Sequence, residues 1–253
     1  MARKNLGDVL HYFIPEDEQS EARARTAAGE PEPLAPDEPS GAAAPRVCVV
    51  APPERLLFCA VALELAGALA AEFGSARVEA SFAGSRLLPE VPGVRLFAAE
   101  RAPAELADAV AHGPEGEPVL ALERPERLAA FLARASPGLD AVLVPVDASP
   151  AGVARGLRQL RELAPALAGL RVAAWLVGAR SAGEAADLGE RLAAAARRQH
   201  GLAVEVAPAL PRDPALFRAL LLGESLHVSD DGTSAGAREL RALSRSLAPR
   251  RAA

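Results

Sequence analysis

From Arg46 onward the chain alternates between short apolar runs and longer helical stretches, and this alternation constrains its fold more than any other feature. Strands are predicted at VCVVA (47–51), 76–82, 93–99, 118–123, 140–147, 171–178 and 202–208. Helices are predicted at 53–73, 103–112, 125–135, 150–168, 181–200, 213–222 and 233–247. Strands that alternate with such helices imply right-handed crossovers and a mostly parallel, twisted sheet with helices on both faces. The sequence therefore predicts an α/β three-layer sandwich over residues 46–253.

The distribution of charge argues against a nucleic-acid-binding surface. Residues 1–45 hold nine acidic and four basic residues, which leaves 24 of each in residues 46–253. A neutral body lacks the basic face that contacts with a phosphate backbone require. Lys4 is the only lysine among the 28 Lys and Arg residues, a bias typical of a GC-rich genome. The bias by itself says nothing about nucleic acid.

The first 45 residues divide into a short helix and a linker. In NLGDVLHYFI, five apolar residues fall on one helical stripe: Leu6, Val9, Leu10, Phe13 and Ile14. Asn5 can cap this helix and Pro15 marks its end. Residues 15–45 carry six prolines, many charges and no aromatic residue, so they are predicted to be a disordered linker. The predicted organisation is a docking helix (1–14), a linker (15–45) and an α/β domain (46–253).

A helix of about ten residues is marginal in water and needs a surface on which to fold. One interpretation places that surface on the protein's own body, and the other on a groove of a protein partner. Membrane contact is disfavoured because the polar face offers Asp8 and His11, with Glu16 to Glu18 just beyond, where anionic lipid prefers Lys and Arg.

Other whole-chain features are consistent with a cytoplasmic protein. Cys48 and Cys59 have neither zinc-binding spacing nor the pattern of a disulfide framework. The first residues lack a long apolar stretch with a cleavage site, and nowhere do 18 uncharged apolar residues run together. The four histidines, at 11, 112, 200 and 227, lie on different predicted elements without a catalytic partner, so no catalytic or metal-binding residue is predicted.

The loop after the first strand is poorly suited to holding a phosphate. Parallel α/β sheets bind ligands at the carboxyl ends of their strands, where the first strand-to-helix loop presents backbone N–H groups. Here that loop reads APPERLLFCAV (51–61), in which Pro52 and Pro53 offer no N–H and no glycine lets the backbone wrap an anion. Leu56, Leu57 and Phe58 are expected to fill the space rather than line a pocket. Arg55 is the available cation, and pairing with Glu54 is its expected role.

Three segments resemble the MinD/ParA family of deviant-Walker P-loop ATPases. They are DAVLVPVDASPAGVARGLRQLREL, RVAAWLVGARSAGEAADLGERLAAAARRQ and the closing segment from VEVAPALPRDP onward, in which Pro211 and Asp213 fall on the family's P-x-D. The resemblance extends weakly back to the first strand, covers about 200 residues and implies a P-loop NTPase-like fold. MinD proteins end in a membrane-targeting helix, but the narrow apolar side formed by Leu240, Leu243 and Leu247 predicts packing on the sheet.

At the positions where MinD/ParA proteins bind nucleotide, this sequence has different residues. The family's first loop is glycine-rich and has two lysines, one just before a Thr or Ser that holds Mg²⁺. Ungapped comparison places Phe58 near that lysine and Cys59 near that Thr. The loop is therefore predicted to be vestigial, with Pro52, Pro53, Glu54, Arg55, Phe58 and Cys59 as its residues.

Three further positions bear on nucleotide binding. The strand ending ASF (80–82) lacks the family's Asp, and Glu123 stands where an Asp normally orders metal and water. Gly178 and Arg180 follow the strand where the family has an Asn that reads adenine. Asp147 ends its strand at the site face, which suits either a ligand contact or a turn or cap with Ser149.

These patterns lead to a predicted function with two alternatives. The prediction is a degenerate MinD/ParA-like pseudo-ATPase, without a cofactor, that acts as a regulator or adaptor and binds a protein partner through residues 5–14. One alternative is a divergent nucleotide switch that binds ATP and Mg²⁺ through Arg55, Glu123 or Asp147. The other is a structural subunit that pairs with an intact family member.

Overall fold

The computed structural model of the protein describes residues 43–52, 55–82, 90–222, 224–226 and 233–247. Within them the strands form one parallel sheet in the order β3-β2-β4-β1-β5-β6-β7, with β8 also paired to β6. The strands are β1 (Arg46–Val50), β2 (Ala76–Ala80), β3 (Val94–Ala98), β4 (Val119–Glu123), β5 (Ala141–Asp147), β6 (Val172–Ala179), β7 (Glu205–Val206) and β8 (Leu210–Pro211). The predicted mostly parallel α/β fold is confirmed.

Helices cover both faces of the sheet. They are α1 (Leu56–Phe73), α2 (Pro103–Ala111), α3 (Leu128–Ala135), α4 (Pro150–Leu167), α5 (Ala182–His200), α6 (Pro214–Leu222) and α7 (Ala235–Leu247). Buried side chains of α1, α6 and α7 share one core with the sheet, and those of α2 to α5 share a second core on the opposite face. The molecule is thus a three-layer sandwich with β1 at the centre of its sheet.

Helix α1 is apolar on all sides because it is buried on all sides. Every residue from Phe58 to Ala70 is buried, between the sheet and α7. By length and composition α1 could cross a membrane, with a mean hydropathy of 1.9, but 72% of it is buried inside the fold. Its one central charge, Glu64, accepts hydrogen bonds from Ser225 Oγ (3.2 Å) and from the Leu226 N–H (3.0 Å). These contacts are those of a core helix.

Helix α7 closes the fold. Leu240, Leu243 and Leu247 are buried against α1 and β8, and Ser244 Oγ donates to Glu72 of α1 at 3.2 Å. The arginines of α7 lie on its exposed side. The prediction that this segment packs within the fold is confirmed.

The last strands and one helix start differ from the prediction. Of the strand predicted at 202–208, only Glu205–Val206 pairs with β6, and the unpredicted strand Leu210–Pro211 pairs with β6 further along, next to a bulge between Val177 and Ala179. The helix predicted from residue 125 begins as a 3₁₀ turn over Pro125–Arg127. Two-residue strands at a sheet edge carry too few residues to show an alternating pattern.

Two glycines let α4 lie unusually close to β5. A Cβ atom on Gly152 would stand 2.1 Å from the carbonyl oxygen of Asp147, and one on Gly156 would stand 2.8 Å from a methyl group of Val146. Because no side chain separates these backbones, the N-terminal end of α4 is held against the carboxyl end of β5. This positions one wall of the site described next.

Candidate functional site

Backbone hydrogen bonds link the described residues at the junction between β1 and α1, which we call the closed turn. The Arg55 N–H donates to the Pro52 carbonyl at 2.9 Å, and the Phe58 and Cys59 N–H groups donate to the Arg55 carbonyl at 2.9 and 3.3 Å. The Ala51 N–H donates to the Glu123 carbonyl at 3.0 Å. These four amides are therefore already occupied by carbonyls of the chain. Pro53 and Glu54 lie outside the described residues, so the expected Arg55–Glu54 pair stays a prediction.

The side chains at this junction offer little to a phosphate. Phe58 is 6% exposed and Cys59 is fully buried, with its sulfur 3.8 Å from the Pro52 carbonyl oxygen. The guanidinium of Arg55 lies over the Phe58 ring at 5.4 Å from its centroid. Apolar surface and a thiol thus stand where the family resemblance implies a lysine and a magnesium-binding hydroxyl.

Glu123, at the end of β4, is enclosed by groups of the chain. Its Oε1 accepts hydrogen bonds from Ser81 Oγ (2.5 Å) and from the Arg124 N–H (2.8 Å), and the Nε of Arg127 lies 3.8 Å away. The carboxylate is fully buried. Ser81 follows β2, so this contact joins the carboxyl ends of two neighbouring strands.

Glu123 belongs to a larger ion-pair cluster on this side of β1. Arg124 and Arg127 both pair with Glu100 at 3.1 Å, and Arg101 pairs at 2.5 Å with the fully buried Glu79. Arg127 also donates to the Arg101 carbonyl. The ion-pair cluster consists of Glu79, Ser81, Glu100, Arg101, Glu123, Arg124 and Arg127. It fills the carboxyl ends of β2, β3 and β4 with paired charges.

On the other side of β1, the carboxyl edge of the sheet holds an open cleft of about 670 Å³. Its walls come from the N-terminal ends of α1, α4 and α5, the ends of β5 and β6, and α6. The lining residues are Arg55, Leu56, Leu57, Phe58, Asp147, Ala148, Ser149, Pro150, Val177, Gly178, Arg180, Glu184, Arg212 and Phe217. The expectation that Leu56, Leu57 and Phe58 fill this space holds only for Phe58, which is buried in the core. Leu56 remains 46% exposed, Leu57 is partly buried, and all three border the cleft.

Both acidic residues of the cleft have arginine partners. Glu184 accepts hydrogen bonds from the Arg180 guanidinium at 2.7 and 3.0 Å and from the Arg180 N–H at 2.8 Å, and these bonds lower the pKa of its carboxyl. Asp147 lies 3.5 Å from the guanidinium of Arg155. The cap of α4 is Ser149, which accepts from the Gly152 N–H at 3.0 Å, so Asp147 faces the cleft without capping a helix.

Asp213, which falls on the P-x-D pattern, has a structural role. One of its carboxylate oxygens accepts from the Ala215 N–H at 2.8 Å at the start of α6, and the other accepts from the buried Gly236 N–H at 2.7 Å. A Cβ on Gly236 would stand 2.9 Å from that second oxygen. Asp213 thus ties the start of α6 to the start of α7.

The remaining polar candidates are dispersed. Cys48 is buried, and burial together with nearby Glu123 raises the pKa of its thiol. His112 is exposed, and His200 ends α5. Among the described residues no group of three or more His, Cys, Asp or Glu could hold a metal ion. The predicted partner-binding residues Leu6, Val9, Leu10, Phe13 and Ile14, together with His11 and His227, lie outside the described residues.

Comparison with solved structures identifies the architecture. A ParA family ATPase from Chlorobium tepidum matches with a TM-score of 0.55 and 13% identity, over 80% of this chain and 98% of that one. The MinC:MinD cell division complex of Aquifex aeolicus matches with 0.57 and 11%, over 81% and 95%, and the Pyrococcus furiosus cell division ATPase MinD with 0.55 and 13%, over 80% and 98%. This chain has the fold of the ParA and MinD ATPases. No protein-family model matches it, and neither does any curated protein.

In this sheet β1, and therefore the β1–α1 junction, lies at the centre of the strand order. In parallel α/β sheets generally, ligands bind at the carboxyl ends of the strands, at the point where the strand order reverses. Sequence reasoning located the junction but missed both the cleft and the ion-pair cluster. The cleft is formed by residues from separate segments of the chain, and the ion-pair cluster joins residues at the carboxyl ends of β2, β3 and β4, so neither has a local sequence signature.

Proposed function

We propose that this chain is a non-catalytic protein of the ParA/MinD fold, a pseudo-ATPase with a degenerate phosphate loop, which acts as a regulator or adaptor that binds a protein partner. The observation that carries the proposal is the closed turn between β1 and α1. Binding a nucleotide's phosphates at a loop requires open backbone amides and a cation. At this junction the Arg55 amide donates to the Pro52 carbonyl, and the Phe58 and Cys59 amides, in the first turn of α1, donate to the Arg55 carbonyl; Phe58 and Cys59 are also buried.

The surroundings of Glu123 support the same proposal. A carboxylate that holds Mg²⁺ or orients a water needs an oxygen directed at open space. Glu123 is fully buried, accepts hydrogen bonds from Ser81 and Arg124, and faces the Arg127 guanidinium. In this position the positive charge of Arg127 takes the place of a divalent cation.

The partner-binding part of the proposal rests on the apolar stripe of residues 5–14. Leu6, Val9, Leu10, Phe13 and Ile14 form one face of a helix that is too short to be stable alone. One of the solved structures with this fold is a MinC:MinD complex, in which that MinD is bound to another protein. An intact ATPase of the same fold, or the machinery that it positions, is therefore the first partner to test.

Lys4 makes the partner test specific. Because it is the only lysine, an amine-reactive cross-linker attached to the full chain can bond only through Lys4 or the terminal amine. Purified full-length protein is mixed with an intact ParA/MinD-type ATPase from the same genome, cross-linked and analysed by mass spectrometry. The double variant Leu10→Asp/Phe13→Asp should lose the cross-linked product. The control His11→Asp adds one negative charge on the polar face, against two in the double variant, and should keep the product. Equal capture by the double variant would contradict docking through this stripe.

A second candidate function is a divergent nucleotide switch, and the cleft favours it. Its 670 Å³ lies at the ligand-binding edge of the fold, and Arg55, Arg180 and Arg212 line it. A hydrolysis assay with ATP and Mg²⁺ separates the two functions. The proposed function predicts that this protein, assayed alone, hydrolyses no more ATP than buffer does. Magnesium-dependent turnover that Arg55→Ala or Glu123→Gln abolishes would establish the switch instead.

A further inference from the structure

Strand β3 forms one end of the sheet, and no strand pairs with its outer side among the described residues. All five of its residues keep some solvent exposure, whereas all five residues of β4 are buried. The opposite end of the sheet has the two-residue strands β7 and β8, with a bulge between Val177 and Ala179 of β6. Natural sheets protect their edges by such short strands and bulges, by proline or by charge. β3 is longer, has no proline, and its one charged residue, Arg95, is already paired with Glu117.

The backbone of β3 directs hydrogen-bonding groups away from the sheet. At the start of the parallel β2–β3 ladder, the Ala76 N–H donates to the Gly93 carbonyl at 3.0 Å. Residues that face the neighbouring strand alternate along a strand with those that do not. Every second residue from Gly93 therefore faces β2, and Val94, Leu96 and Ala98 point their N–H and C=O groups outward.

Most of these outward groups have no partner in the described part of the chain. The Val94 N–H donates to the Val91 carbonyl at 3.1 Å. The N–H groups of Leu96 and Ala98 are unpaired there, as are the carbonyls of all three outward residues. A row of unpaired donors and acceptors at a sheet edge is a template on which another strand can pair.

The side chains of β3 add apolar surface on both faces of this edge. Val94 and Leu96 pack, partly exposed, against the core that contains α1. On the other face Phe97 is also partly exposed, and the Arg77 guanidinium lies over its ring at 4.2 Å from the centroid. Arg95 shares that face, and 55% of its side chain is exposed although its guanidinium contacts Glu117. A second strand would cover this surface on both faces.

We propose that β3 pairs with β3 of a second copy of this chain, so that two sheets join edge to edge in a two-fold symmetric dimer. A two-fold axis perpendicular to the sheet makes the pair antiparallel, and the same surface is used by both copies. Leu96 lies at the axis, where the two Leu96 residues exchange N–H···O bonds. Each Ala98 N–H donates to the Val94 carbonyl of the other copy. This assignment goes beyond the proposed function and does not depend on it.

Charge and strand length select this register from its neighbours. With Leu96 at the axis the whole of β3 overlaps, and Arg95 of each copy faces Phe97 of the other, where a cation and its methylene chain can pack on an aromatic ring. With Arg95 at the axis two like charges face each other directly, which is unfavourable. With Phe97 at the axis only residues 96–98 of the two strands overlap. The edge of β3 is therefore complementary to itself in one register.

Sedimentation velocity of the full-length protein tests the dimer. One five-residue strand pair is smaller than a standard interface, so we expect a reversible monomer–dimer equilibrium between about 5 and 500 μM. Leu96→Pro removes the outward N–H at an edge position, where proline is tolerated. Leu96→Ala is the matched control, because it also loses the leucine side chain but keeps the N–H. Leu96→Pro should dimerise at least about tenfold more weakly than Leu96→Ala, with both shown to be folded by circular dichroism.

Introduced cysteines locate the axis and do not depend on the proline variant. The native Cys48 and Cys59 are both buried, so an introduced thiol at the surface is the one that reacts. Leu96→Cys should form a disulfide-linked dimer on mild oxidation, because facing Cα atoms about 5.5 Å apart are within disulfide reach. Phe97→Cys does not face itself in this register and should link less. Val206→Cys, at a residue that is 40% exposed on the opposite edge strand, is the control and should remain monomeric.

Three outcomes would overturn the assignment. The first is a monomer throughout this concentration range, the result expected if a strand of another protein takes the edge. The second is equal disulfide formation by Leu96→Cys and Val206→Cys. The third is a dimer that survives Leu96→Pro but is lost in Leu10→Asp/Phe13→Asp, which would assign the association to the apolar stripe of residues 5–14. These measurements use neither ATP nor a partner ATPase, so their failure would leave the proposed function standing.

Discussion

The carboxyl edge of the sheet is filled by side chains on one side of β1 and open on the other. Both are carboxyl ends of parallel strands, where loops meet helix N-termini. On the β2–β4 side, the ion-pair cluster fills the edge, and its carboxylates Glu79 and Glu123 are fully buried. On the β5–β6 side the edge is an open cleft. The comparison teaches that one parallel sheet can fill its carboxyl edge with paired charges beside β2 and β4 and still leave an open cleft beside β5 and β6.

Substitution of Arg127 should have the largest effect, because it breaks the closed side. Arg127→Ala leaves the buried carboxylate of Glu123 without its guanidinium, and removing one partner of a buried ion pair costs about 3 kcal/mol or more. We expect a loss of about 3 kcal/mol in the free energy of unfolding, measured by urea denaturation. Arg134→Ala is the matched control. It breaks a pair with Asp108 in which both side chains are about half exposed, and it should cost less than about 1 kcal/mol.

If Arg127→Ala and Arg134→Ala cost the same, the ion-pair cluster does not stabilise the closed side. A gain of Mg²⁺ binding by Arg127→Ala, seen by calorimetry, would support the interpretation that the guanidinium takes the place of a cation.

Substitution of Gly152 should have the next largest effect, on the wall of the cleft. In Gly152→Ala the new methyl carbon would meet the Asp147 carbonyl oxygen at 2.1 Å, so α4 must move away from β5. Overpacking of this kind costs about 2 kcal/mol. Gly183→Ala is the control, because its nearest neighbour would be Ser181 Oγ at 3.9 Å. Gly183→Ala should stabilise the protein by up to about 1 kcal/mol, because alanine favours a helix more than glycine does. If Gly152→Ala is as stable as the wild type, the described contact between α4 and β5 is contradicted.

Capping of the helices that line the cleft gives a smaller effect. Ser149 accepts from the Gly152 N–H at 3.0 Å and Ser181 accepts from the Glu184 N–H at 3.1 Å. Ser149→Ala and Ser181→Ala should each cost about 1 kcal/mol in thermal or urea unfolding. A cost near zero for either would show that the corresponding helix begins elsewhere.

The smallest effect is a pH dependence at the cleft. Arg180 lowers the pKa of the Glu184 carboxyl below its ordinary value of 4.5. The contribution of this pair to stability is therefore complete above the unfolded pKa and is lost as the pH falls through the lower folded pKa. The stability difference between wild type and Arg180→Ala should be constant near neutral pH and should shrink below pH 4.5. An NMR titration in which Glu184 has the same pKa in both proteins would refute this.

The sequence predicted the fold well where side-chain patterns are strong. The runs around Val144 in β5 and Leu176 in β6 are buried strands, and the residues predicted for α7 form its buried stripe. The sequence did not predict contacts that depend on strand register or on close approach between backbones. Leu56 and Leu57 were expected to fill space, but α1 begins so that they face the cleft, and the contacts of Glu123 depend on how β2, β3 and β4 align.

The central claim is that the closed turn and the buried Glu123 leave this fold without a site for ATP and Mg²⁺. Equilibrium dialysis of the full-length protein against labelled ATP with Mg²⁺ tests it most directly, with an intact ParA/MinD-type ATPase as the positive control. We expect no saturable binding at a Kd below about 100 μM, which corresponds to roughly 5.5 kcal/mol. Saturable binding tighter than about 100 μM that requires Mg²⁺ and is lost in Glu123→Gln would contradict it.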